Sequence, residues 1–267
     1  MLEKWVILNL PRRKDRRVLS VANALRLGVP VSHIELWEAK DNADYEDADA
    51  ILEAIVADGF TEFKGCRPNP IHTGKNCHVW NVCRFLRWLS TRSKPSMFCH
   101  DGIIFAIANM SFCPDWQWFC DVTGYLYRRC KERRTKFKFL QLGHVDFSQG
   151  AIPPVCPGSM ILDGIISYDN FARIYSPAGA KLVLDRILSD PERYMAAGPN
   201  AVLFENDARF SEPDKYWQPP GAFSVGVTIV RDMPNTWLGS DTIDIPMYRQ
   251  KFGEHFEKDT KLQNLEQ

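Results

Sequence analysis

No apolar run in this 267-residue chain reaches the roughly 18–20 residues that cross a bilayer. The longest candidate, Met97 to Cys113, is interrupted by His100 and Asp101. The opening Met1-Leu2-Glu3-Lys4-Trp5 lacks the charged, apolar, small-residue order of a secretory leader. No CxxC pair occurs among the eight scattered cysteines. That argues against a paired-cysteine zinc site and predicts reduced thiols in a cytoplasmic protein without a membrane span. Net charge is also missing: 33 basic side chains balance 33 acidic ones, which disfavours a surface coated for nucleic acid or anionic lipid. No internal repeat and no low-complexity linker breaks the chain. The expectation is one domain over residues 1–252 and a polar tail over 253–267. With 45% hydrophobic and 25% charged residues, the composition is that of a globular protein able to bury a large core.

Neutrality holds only as a sum. Arg12, Arg13, Lys14, Arg16 and Arg17 form one basic cluster, and Arg128 to Lys138 form a second. Asp41 to Asp58 is acidic, with Asp44, Glu46, Asp47, Asp49 and Glu53. Each cluster reads as a solvated helix face, or, beside a site, as a group serving phosphate.

Trp5 to Leu10 is an apolar run stopped by Pro11, which predicts a buried first strand. Val18, Val21, Ala22 and Leu25 follow at helical spacing, with Gly28 placed to end that helix. His33 to Ala39 reads as a second strand. This strand, helix, strand opening favours a parallel α/β sheet. Val79, Val82, Cys83 and Leu86 share one face of a further helix, and Ser96 to Cys99 is the next strand. A helix carries Trp116, Phe119, Cys120, Thr123 and Tyr127. Strands are expected at Phe137 to Leu142, Phe171 to Tyr175 and Ser224 to Val230, with a helix from Pro177. In such a sheet ligands bind at the carboxyl ends of strands, singling out Asn9 to Arg16, Ala39 to Asp41, His100 to Gly102 and Gly143-His144.

At those positions the sequence resembles glycosyltransferase family 25, the bacterial lipooligosaccharide and animal collagen galactosyltransferase group. The resemblance rests on Ile7-Leu8-Asn9-Leu10 followed by Arg13-Lys14-Asp15-Arg16, on Glu38-Ala39-Lys40-Asp41, on Thr73-Gly74-Lys75-Asn76-Cys77-His78, and on Tyr175-Ser176-Pro177-Ala178-Gly179-Ala180-Lys181. These segments keep the family's order over about the first 190 residues. They imply a GT-A-like fold, a Rossmann-type, mixed and mainly parallel sheet flanked by helices, that binds a nucleoside diphosphate sugar. By the same resemblance Asn9, Arg12, Arg16, Asp41, His78, His100 and Asp101 are donor-binding residues.

The match breaks at one point. The family carries Glu-Asp-Asp at the end of the strand after the histidine-bearing helix, a motif through which a divalent cation (Mn²⁺ or Mg²⁺) grips the diphosphate. Here the segment is Cys99-His100-Asp101-Gly102. Three alternatives follow. Asp101 holds the cation with donor phosphates and water, joined by His100 if the metal is Mn²⁺. Or cationic residues such as Arg12, Arg16 or Lys75 replace the metal. Or catalysis is lost and a ligand-binding fold is kept.

Transfer in an inverting enzyme needs a base for the acceptor hydroxyl. Glu205 and Asp207, bracketing Asn206 beside the apolar Val202-Leu203-Phe204, are the candidates; Asp163 and Asp169 are weaker ones. Trp217 with Tyr216 suits stacking on a sugar or base face. The function expected is transfer of a hexose from a nucleotide sugar to a hydroxyl acceptor, a saccharide first. A hydroxylated DNA base is the alternative acceptor, less favoured at zero net charge. An inactive sugar-nucleotide or glycan-binding protein is the alternative from another class.

Overall fold

Five strand-forming residues, Trp5–Asn9, make β1, buried along its whole length before Pro11 ends it. The computed structural model describes residues 2–101, 103–105, 114–142, 161–163, 172–198, 219–225 and 230–232, all within the unit Met1–Met233. In chain order the elements after β1 are α1 (Lys14–Arg26), β2 (Ile34–Glu38), α2 (Ala48–Ala57), α3 (Thr73–Ser90), β3 (Ser96–His100), β4 (Ile103–Phe105) and α4 (Trp116–Glu132). Then come β5 (Phe139–Gln141), β6 (Ile161–Asp163), β7 (Ala172–Tyr175), α5 (Pro177–Ser189), α6 (Pro191–Ala197), β8 (Ala222–Val225) and β9 (Val230–Asp232).

Seven strands form one sheet in the order β2-β1-β3-β7-β5-β8-β6, and β4 pairs with β9 apart from it. The pairs β1–β2, β1–β3 and β5–β8 are parallel, whereas β7 runs antiparallel to both β3 and β5 and β6 antiparallel to β8. The architecture is therefore a mixed α/β sheet flanked by helices. Alternation along the strands splits the core into two. Val6, Leu8, Phe98, Phe139 and Tyr175 meet α2, α3, α5 and α6 on one face. Trp5, Ile7, Met97, Cys99, Leu140 and Ile174 meet α1 and α4 on the other. The chain leaves β1 toward β2 through α1 and returns past it to β3 through α3. Right-handed crossovers in opposite directions put these helices on opposite faces.

The apolar spacing in α1 finds only part of its inward side, since Val21 packs half-buried on the core. Val18 and Leu25 are 67% and 46% exposed, while Ser20, Ala24 and Leu27 are buried. The reason is that the inward face runs Arg16, Ser20, Ala24, Leu27, and its first half is polar because it meets the end of β3. Ser20 Oγ donates to the carbonyl of Asp101 at 2.5 Å. In α4, Phe119 and Thr123 are buried as expected, but Tyr127 is exposed. Of the last expected strand, Ser224 to Val230, the described ends lie in different sheets, Ser224 and Val225 in β8 and Val230 in β9; residues 226–229 lie outside the described residues. Among the described residues no helix is long and apolar enough to cross a membrane. Their six cysteines, Cys66, Cys77, Cys83, Cys99, Cys120 and Cys130, are all free thiols.

Candidate functional site

β1 sends the chain to β2 on one side, and β3 lies on its other side. The carboxyl ends of β1 and β3 therefore bound the crevice where open α/β sheets bind ligands. Asn9 ends β1, and Asp101 follows the last residue of β3. Parallel pairing carries one step further, because Asp101 N–H donates to the Leu8 carbonyl at 3.0 Å. Asp101 Oδ2 then accepts from Asn9 Nδ2 at 2.7 Å and from the Leu10 backbone N–H at 3.3 Å. Asn9 Nδ2 also reaches the Arg13 carbonyl at 3.1 Å. Arg16, one turn into α1, stands 3.7 Å from Asp101 Oδ1, with side chains 13% and 8% exposed. Asn9, Arg16 and Asp101 thus form one buried polar knot. Burial pushes the Asp101 carboxyl above the usual carboxylate range, opposed by the Asn9 hydrogen bond, the Arg16 charge, the Leu10 N–H and Arg13.

Arg12 and Asp41 form a second pair beside the first. Arg12 Nε donates to Asp41 Oδ2 in a short contact, and Nη2 reaches Oδ1 at 3.4 Å. Asp41 is buried and also accepts from Ala43 N–H at 3.1 Å, closing the turn after β2. The Arg12 side chain remains 43% exposed, at the crevice mouth. Asn81, which sequence reasoning passed over, holds this turn from α3. Its side chain accepts from Lys40 N–H at 2.8 Å and donates to the Lys40 carbonyl at 3.0 Å. An asparagine between Val79 and Val82 on a core face was the signal available.

His78 and His100 come together, but not with Asp101. His78 Nε2 and His100 Nε2 are 3.2 Å apart, and His100 packs on Phe98 on the face covered by α3. The Asp101 side chain instead bonds to Asn9, Leu10 and Arg16 of the β1–α1 segment on the other face. Adjacent residues at a strand end point to opposite faces, so the His100 and Asp101 side chains part to opposite sides of the sheet. Burial lowers the His78 pKa to about 4. It also holds His100 well below the ordinary histidine value, aided by His78 and by Arg173. Arg173, on β7 and 1% exposed, lies on that same face with its guanidinium 3.0 Å from the Tyr175 hydroxyl. It gave no sequence signal beyond being charged within an apolar strand.

The divalent cation implied by the family resemblance finds no fit at Asp101. A hard cation takes six or more oxygen ligands. Here one carboxylate faces an amide, a backbone N–H and a guanidinium, all donors. Among the described residues no three His, Cys, Asp or Glu side chains group to hold an ion. Glu205 and Asp207, with Asp169, His144, Tyr216 and Trp217, lie outside the described residues; Asp163 is described for its backbone alone, in β6. The second basic cluster ends α4 and precedes β5, which runs parallel to β1 and β3. It therefore sits at the amino edge of the sheet, away from the crevice. No family model matches the chain, and no curated protein matches it either.

Proposed function

We propose that this protein is a nucleotide-sugar-dependent glycosyltransferase that moves a hexose to a hydroxyl acceptor, a saccharide in the first instance, without a cation bound at Asp101. The observation that carries the reading is the Asn9–Asp101–Arg16 knot beside Arg12–Asp41, set at the crevice of an open α/β sheet. A nucleoside diphosphate sugar presents amide-like edges and ribose hydroxyls for Asn9 and Asp41, and two phosphates for Arg12 and Arg16. Guanidinium groups match phosphate oxygens in charge and in paired geometry, and a fixed cation stabilises the departing diphosphate. α3 adds support because its amino end, with Lys75, points toward the carboxyl edge of the sheet, where backbone N–H groups favour anions. Asp101 and Asp41 act as positioning residues that hold the two arginines in place. In this reading Glu205 and Asp207 are the candidates for the acceptor base.

The Asp101 carboxylate, with no acidic partner beside it among the described residues, also favours a second reading: the same ligand is bound without turnover. Calorimetric titration of uridine and guanosine diphosphate hexoses into the full chain, followed by product analysis with Mn²⁺ or with EDTA, separates the two. Saturable binding and transfer in EDTA support the enzyme, and binding without turnover supports the second reading. No binding of any nucleotide sugar, or unchanged affinity in Arg16→Ala, overturns both.

A further inference from the structure

The second basic cluster, at the amino edge of the sheet, serves nothing in the crevice. It occupies the last turn of α4 and the segment that leads into β5. Between Arg128 and Lys138 seven basic side chains stand against one acidic one, Glu132, in a chain whose charges sum to zero. Among the described residues, Arg128, Lys131, Arg134, Lys136 and Lys138 have no ion-pair partner. All of these but the half-buried Lys138 are exposed. The helix dipole favours cations in the last turn of α4, but that effect ends with the turn and does not reach Arg134, Lys136 or Lys138. Arg134 also holds φ at 55°, in the left-handed region that glycine enters without strain. Its N–H donates to the Lys131 carbonyl at 3.1 Å, and Thr135 N–H donates to the Cys130 carbonyl at 2.8 Å, closing the helix. The turn thus carries a cation where glycine would close it with less strain. One turn before Arg129, Tyr125 is 45% exposed, and its hydroxyl accepts from Arg129 Nη1 at 3.2 Å.

We propose that the end of α4 and the segment after it form a binding surface for single-stranded nucleic acid, with the cations on its phosphates and the Tyr125 ring against a base. Like charges crowded along this stretch repel one another, and a polyanion relieves that repulsion while releasing its own counterions. Four of the seven cations are arginines, whose planar forks match pairs of phosphate oxygens. An exposed aromatic ring stacks on any base that is not already paired, which selects a single strand over a duplex. An anionic lipid surface fits less well. The exposed large hydrophobic side chains of residues 116–138 are Tyr125 and Tyr127, and no aliphatic one accompanies them to enter a bilayer. Zero net charge excludes a coat of cations over the whole molecule, not a local surface of this kind. The surface lies across the sheet from Asp101, so it holds a nucleic acid without presenting it as acceptor, and it does not rest on the glycosyl-transfer reading.

The test is fluorescence anisotropy of a labelled oligodeoxythymidylate of about 20 nucleotides, titrated with the full chain at several salt concentrations. Five phosphate contacts predict that log K falls against log salt with a slope of about −3.5, or about 100-fold between 50 and 200 mM. Combining Arg128→Gln, Lys131→Gln and Lys136→Gln, all at exposed positions, should make that slope shallower by about 2. Tyr125→Ala should weaken binding at least about fivefold and leave the slope unchanged. Arg134→Gly should weaken binding while the melting temperature holds or rises, an outcome that a merely structural arginine would not give. Lys14→Gln with Arg17→Gln, exposed cations of the first basic cluster, should bind as wild type. No binding at 50 mM salt, an unchanged slope in the triple variant, or an equal loss in the α1 control overturns the proposal. So does binding to phosphatidylserine vesicles without binding to the oligonucleotide. Nucleotide-sugar affinity is unchanged in the triple variant, so failure here leaves the glycosyltransferase reading standing.

Discussion

Asp101 offers a substitution pair that separates its role as an acceptor from its role as a charge. In Asp101→Ala, the Leu10 N–H loses the acceptor at 3.3 Å, and Asn9 Nδ2 keeps only the Arg13 carbonyl. Arg16, 13% exposed, loses the carboxylate 3.7 Å away. An orphaned buried N–H costs about 1–3 kcal/mol, and a lost charge-assisted hydrogen bond about 1.5–3 kcal/mol. These terms share atoms and do not simply add, so the expected loss is about 2–4 kcal/mol, most of it from the two orphaned donors. Asp101→Asn keeps an oxygen where Oδ2 accepts from Asn9 and Leu10 and removes the charge. Burial already disfavours that charge, as the raised pKa shows, so the expected loss is only about 1 kcal/mol. Urea denaturation of the full chain, followed by the fluorescence of its 8 tryptophans, reads both values as midpoint shifts at constant slope. Equal destabilisation by the two variants, or a loss under about 1 kcal/mol for alanine, would refute the claim that Asp101 anchors the β1–α1 turn as an acceptor.

Two further outcomes follow from the packing and the charge states. A Cβ on Gly179 would stand 1.9 Å from the Lys138 carbonyl oxygen, a backbone atom with no freedom to yield. Gly179→Ala should therefore cost about 3 kcal/mol or more, or abolish soluble expression, and an unchanged melting temperature would contradict the α5–β5 contact. His78 titrates near 4 in the folded chain and near 6.5 in the unfolded one, so the unfolded state binds the extra proton between those values. Stability is complete above about pH 6.5 and declines as pH falls toward 4, with His78 alone contributing roughly 3 kcal/mol of the loss. His100, lowered in the same direction, adds to it. Urea midpoints at pH 7 and pH 5 check the sign, and a flat profile would contradict the burial of this pair.

Local sequence determined the elements that build the crevice. Apolar Trp5 to Leu10 before Pro11, the spacing of Val79, Val82, Cys83 and Leu86, and Ser176-Pro177 opening α5 each encode their structure within one or two turns. They also placed Asn9, Asp41 and Asp101 at strand ends, because α/β connections turn there. Three things were decided only by the tertiary structure. The first is strand order: Ala172–Tyr175 is buried on both faces and reads identically in either direction, so its antiparallel insertion between β3 and β5 left no periodic trace. The second is the inward face of α1, whose polar half is stabilised by Asp101, 81 residues from Ser20, and so breaks the hydrophobic pattern that would have marked it. The third is the parting of His100 from Asp101. Adjacent in sequence, they looked like one site, but alternation at the strand end sends one to α1 and the other to His78, since neighbouring side chains on a strand face opposite sides of the sheet.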